Sequence, residues 1–180
     1  MHKLLIVLMF AILQFAVAQN SKKPCSAPEA RQFDFWIGEW ELTWPGGQGG
    51  TPEGQTGRGV NHVVQYLGEC VIFENFSFAD SSFIGKSWSV YNLQKQLWQQ
   101  TWVDNSGGYL LFTGGFADGK MELRTAPFQR NGVTYVSRMV FRNIAANAFD
   151  WDWQRSADNG ETWQDVWNIH YQRKTESAGK

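Results

Sequence analysis

Phe35-Trp36-Ile37-Gly38-Glu39-Trp40 opens the first run of alternating apolar residues in the chain. Its Gly-x-Trp, set against an Arg near the end of the last such run (Arg173), predicts a closed antiparallel barrel whose first and last strands meet. Alternate residues on a strand share a face. Trp36, Gly38, Trp40, Leu42 and Trp44 therefore point one way, and Trp163, Trp167, Ile169, Tyr171 and Arg173 do the same at the far end. Trp40 beneath Arg173 would close the barrel floor by a cation–π contact of about 0.5–2 kcal/mol. Both residues read as structural.

Between these ends the apolar period stays at two. Candidate strands cover 33–45, 57–67, 69–78, 83–92, 97–104, 108–116, 119–126, 133–143, 148–155 and 162–173. Turn clusters such as Asp118-Gly119, Asn131-Gly132 and Asp158-Asn159-Gly160 separate them and supply the positive-φ positions of tight hairpins. Short links imply a meander. An all-β, single up-and-down barrel of about ten strands follows, because closure leaves no unpaired edge. It spans 33–174, behind an extension over 19–32 and ahead of a disordered tail over 175–180. Within the extension Ser26 and Glu29 have capping-box spacing and Pro28 suits a first helical turn, so one short helix is expected.

Residues 1–18 read as a signal peptide: His2 and Lys3, an apolar run over 4–17, then Ala16-Val17-Ala18 as the cleavage pattern. That run falls short of the roughly 20 residues a transmembrane helix needs. An exported protein, periplasmic or extracellular, is the expectation. With 16 Lys+Arg scattered against 17 Asp+Glu, the chain has no basic stripe for nucleic acid. Cys25 and Cys70 in an oxidising compartment most often form a disulfide, with buried thiols as the alternative. Closing that loop is worth about 3–4 kcal/mol in the chain-entropy model.

One hairpin can be read for orientation. If Tyr91 faces Trp98, then Ser89 faces Gln100, Ser87 faces Trp102 and Gly85 faces Asp104, all on one side. This set alternates small polar and large aromatic groups, as a cavity wall would. The other side carries Ile84, Lys86, Trp88, Val90, Gln99, Thr101 and Val103, and reads as the outside.

Phe35-Trp36-x-Gly38-x-Trp40, Gly68-Glu69-Cys70-Val71, Trp98-x-Gln100-x-Trp102-Val103-Asp104 and Trp167-x-Ile169-x-Tyr171-x-Arg173 together resemble an exported bacterial family of unknown function, described as lipocalin-like or calycin-like. The resemblance runs from about Cys25 to Arg173. It implies a barrel and brings no catalytic residues. Ser156-Ala157-Asp158-Asn159-Gly160-Glu161-Thr162-Trp163 is similar to the Asp-box of sialidase-like propellers, but a single copy reads as a turn motif.

Function is less legible than fold. The expected activity is binding of a small amphipathic or hydrophobic molecule, with Trp36, Glu74, Ser87, Ser89, Tyr91, Gln100 and Trp102 as contacts. Trp151, Trp153, Trp163 and Trp167 share one hairpin face and read as core. Glu74 and Asp104 are the carboxylates at the cavity or its mouth. The bland reading pairs Glu74 with Arg124 or Arg138 and makes Asp104 a turn cap. The sharper one makes a carboxylate the acid–base group of an enzyme. His62 and His170 have no metal-ligand spacing, and the parity of His170 speaks against haem, so no metal or cofactor is expected. No nucleophile elbow or phosphate loop appears, and the balance leans away from an enzyme. A glycan-binding module, needing two coplanar exposed tryptophans, is the remaining alternative.

Overall fold

Eleven strands form where the sequence alternates: β1 (Gly38–Pro45), β2 (Thr56–Tyr66), β3 (Val71–Phe78), β4 (Ile84–Asn92), β5 (Leu97–Asp104), β6 (Tyr109–Ala117), β7 (Lys120–Arg124), β8 (Phe128–Arg130), β9 (Val133–Arg142), β10 (Ala148–Ser156) and β11 (Gln164–Arg173). The computed structural model describes residues 25–175. The expected signal peptide and all but the first residue of the expected tail lie outside that range.

Consecutive strands other than β7 and β8 pair antiparallel, β9 pairs with both β7 and β10, and β11 pairs with β1. Ten strands thus close into a barrel. The eleventh, β8, was not foreseen. It runs along the same edge of β9 as β7, after a break at Thr125-Ala126-Pro127. Proline has no N–H for the ladder and interrupts what would be one strand.

The barrel has two distinct ends. At one lie the start of β1, the β2–β3 and β4–β5 turns and the end of β11. A plug built from two 3-10 turns, Pro28–Arg31 and Asp34–Trp36, fills this end. Pro28 takes the first-turn position, but no side chain caps the turn, so the expected Ser26–Glu29 capping box does not form. Trp36 therefore sits in the plug and not on the first strand, which begins at Gly38. Phe33 and Trp36 are fully buried, and the Phe33 ring lies 4.8 Å from Trp98 and 5.3 Å from Phe141. Edge-to-face rings of this kind add about 0.5–1.5 kcal/mol each beyond area burial.

Two fasteners hold the plug. A disulfide joins Cys25 to Cys70 at the β2–β3 turn. Arg173 lies with its guanidinium carbon 4.1 Å above the Trp40 ring, its β-sheet partner. The same side chain donates to the carbonyls of Phe35, Ile37 and Ala146. It thereby ties plug, first strand and the β9–β10 turn together, while Trp40 Nε1 donates to the Trp36 carbonyl at 2.8 Å.

At the opposite end, Gly160 (φ +93°) shapes the turn before β11. Ser156 Oγ accepts from the Asp158 and Gly160 amides, and Asp158 accepts from Thr162, so the Asp-box acts as a hairpin turn. A register shift between Trp153 and Gln154 breaks the parity that would have carried Trp163 inside. Trp163 instead stacks outside the barrel under Arg138, at 4.0 Å, and is no part of the Trp151–Trp153–Trp167 cluster.

Candidate functional site

The β4–β5 hairpin has the register read from its sequence: Tyr91 opposite Trp98, Ser89 opposite Gln100, Ser87 opposite Trp102, Gly85 opposite Asp104. Ser87, Ser89 and Gln100 are buried within the barrel, whereas Ile84, Lys86, Trp88 and Val90 are exposed. The size alternation has a steric cause. A Cβ on Gly85 would lie 2.0 Å from the Trp102 ring, so only glycine leaves room for that indole across the ladder.

Inside the barrel is a cavity of about 200 Å³. Trp36 caps it from the plug, and it extends toward the other end between Trp102, Trp153 and Trp167, with Phe83, Asp104 and Leu110 on that side. Nine of its fifteen lining residues are aromatic, and none is Lys, Arg or His. Trp151 and Trp153 present nearly parallel rings, 6° apart in plane with centroids at 6.3 Å. They line the cavity, as does Trp167, where the sequence had suggested closed core.

Glu74 is the polar centre of this wall. Asn61 Nδ2 donates to its Oε1 at 2.7 Å, and Ser87 Oγ bonds its Oε2 at 2.5 Å. Asn61 Nδ2 also reaches Tyr171 Oη at 3.3 Å. Among the described residues no cation reaches Glu74. Arg138 pairs with Glu122 at 2.9 Å, and Arg124 pairs with the same carboxylate, which overturns the expected Glu74–arginine bridge. Burial raises the Glu74 pKa from 4.5 to about 7, because the bonds from Ser87 and Asn61 only partly offset desolvation. Tyr171 is pushed well above its usual value, first by burial and then by the Glu74 charge.

Asp104 behaves differently. Burial raises its pKa, but bonds from Ser106, Trp102 and the Gly108 amide outweigh that and hold it below the usual value. It caps its own turn, as expected, while steering the Trp102 indole through a 2.9 Å bond.

The seven anticipated contact residues divide. Trp36, Glu74, Gln100 and Trp102 line the cavity. Ser87 and Ser89 sit behind them, bonding Glu74 and Gln100. Tyr91 is half-buried against Trp98, 5.7 Å between centroids, and is not part of the lining. Asn61 was missed. The signal for it lay in β2, where Gly57, Gly59, Asn61 and Val63 share the inward face. His170 faces outward and its Nδ1 lies 2.9 Å from Asp150. Among the described residues no cluster of His, Cys, Asp or Glu could hold a metal ion, and no helix is long and apolar enough to cross a membrane. No protein-family model and no curated protein matches the chain.

Proposed function

We propose that this protein is an exported carrier or receptor for a small amphipathic molecule held inside the barrel. The observation that carries this reading is the cavity, walled by aromatic rings and organised around one buried carboxyl group. Ligand sites usually combine apolar walls with a few placed polar groups, and this wall has that composition. Trp36 adds a buried indole N–H that meets no acceptor among the described residues, an available donor at the cap of the cavity. Membership of the exported lipocalin-like family rests on the four sequence motifs. The Cys25–Cys70 disulfide supports export to the periplasm or beyond, where such bonds persist.

Native mass spectrometry on protein purified gently from its own host tests this. The expected result is a discrete added mass, released on denaturation and weakened by Gln100→Ala or Trp102→Ala. A clean unliganded mass from repeated preparations counts against a carrier.

The second reading is an enzyme that uses Glu74 as acid or base, favoured by its pKa near neutrality. It differs in outcome: Glu74→Gln would abolish turnover while leaving ligand retained. A glycan module is disfavoured, since the parallel pair Trp151 and Trp153 faces inward.

A further inference from the structure

Resting on the reading that the cavity holds a small molecule, we infer that its ligand is an organic cation, a protonated amine carried on an apolar body. Three features of the cavity point to this chemistry. First, among the described residues its wall holds two carboxylates, Glu74 and Asp104, and no basic side chain. Second, each Glu74 oxygen receives one hydrogen bond from a neutral group, Asn61 or Ser87. A carboxylate offers about four acceptor sites, so roughly two remain. An ammonium group supplies donors and charge in one centre, and its pairing offsets the desolvation that a lone buried carboxylate suffers. Third, the surrounding rings present π faces, with Tyr171, Phe76, Trp102, Trp151 and Trp167 all in the lining. Aromatic faces attract cations and stabilise them where water is excluded, by about 2 kcal/mol when desolvated. An anion would meet two like charges, and a neutral alkane would leave the carboxyl group unmatched.

The charged and titratable groups around Glu74 are few. From β11 comes Tyr171, and Asp104 of β5 shares the lining. The inward face of β2 brings Asn61 and that of β4 brings Ser87, while Arg58, His62 and Lys86 lie on the outward faces of those strands. Among the described residues no cation therefore competes with a ligand's ammonium group.

The test uses three probes of one shape and different charge: phenethylamine, phenethyl alcohol and hydrocinnamate. Binding to the purified protein is followed by tryptophan fluorescence and calorimetry at about pH 8, where Glu74 is largely ionised. The expected order places the amine first by about tenfold or more over the alcohol, with the carboxylate weakest. Glu74→Gln should remove the amine's advantage over the alcohol. Should that variant misfold, the wild-type pH profile serves instead. Amine affinity should fall by up to about tenfold per pH unit as pH drops below the Glu74 pKa of about 7, with no such fall for the alcohol.

Equal or stronger binding of alcohol or carboxylate overturns the cation inference and leaves the small-molecule reading standing. A neutral or acidic compound on the host-purified protein does the same. No binding by any probe, together with a clean unliganded mass, overturns both.

Discussion

Gly38 shows how one residue decides whether the barrel can close. Its φ of +137° is open to glycine and strained for other residues, and a Cβ there would lie 2.1 Å from a terminal nitrogen of Arg173. That guanidinium has no freedom to retreat, since three carbonyls and the Trp40 ring hold it. Gly38→Ala should lower unfolding free energy by about 1–3 kcal/mol in denaturant titration, from strain plus the displaced Arg173. Glu74 makes the opposite case, a residue that destabilises as it ionises. Its folded pKa of about 7 lies above the 4.5 expected of an unfolded chain. Between those values the unfolded state has released a proton that the folded state keeps, so stability falls as pH rises from 4.5 to 7 and then levels. The linked loss is about 3 kcal/mol for a shift of this size. Glu74→Gln should flatten that slope and be more stable than wild type at about pH 8, as read from urea midpoints across the pH range. An unchanged slope would mean that Glu74 ionises freely.

At the scale of elements, the parts written in alternation were legible and the parts written in exceptions were not. The β4–β5 hairpin follows from period two alone: small polar residues face large rings, and the Lys86 side faces solvent. Trp163 was misplaced because the shift at Trp153/Gln154 changes parity, and its only sequence trace is the Asp-box that follows. Trp36 was misplaced because it keeps the every-second-residue spacing of Trp40, Leu42 and Trp44, while the backbone of Asp34–Trp36 turns in a 3-10 helix to seal the barrel. Glu74 was found, but its neutral partners depended on Asn61 two strands from Ser87, a non-local pairing that no local pattern reports. The plug carries its own prediction. Replacing both Cys25 and Cys70 by Ser removes a cross-link over a sequence separation of 45, worth about 4 kcal/mol in the chain-entropy model. The thermal midpoint should fall markedly, and a midpoint within a degree or so of wild type would show that aromatic packing alone retains the plug.

For the whole molecule, closure was readable because the two chain ends announce each other, with Gly-x-Trp at one and Arg173 at the other. The state of the interior was not. Sixteen per cent aromatic residues suit a filled core or a cavity wall equally, and only the relative placement of Trp102, Trp151, Trp153 and Trp167 decides between them. A closed barrel on its own is a pipe with two mouths. The plug, held by the Cys25–Cys70 bridge, by Arg173 and by its own buried rings, makes it a cup with a closed base. On the binding reading proposed above, a guest would enter and leave past Asp104, one doorway for both filling and emptying. If the bridge rather than ring packing holds the plug, cutting it would, on that same reading, open a back door and tie the time a guest spends inside to the redox state of its surroundings.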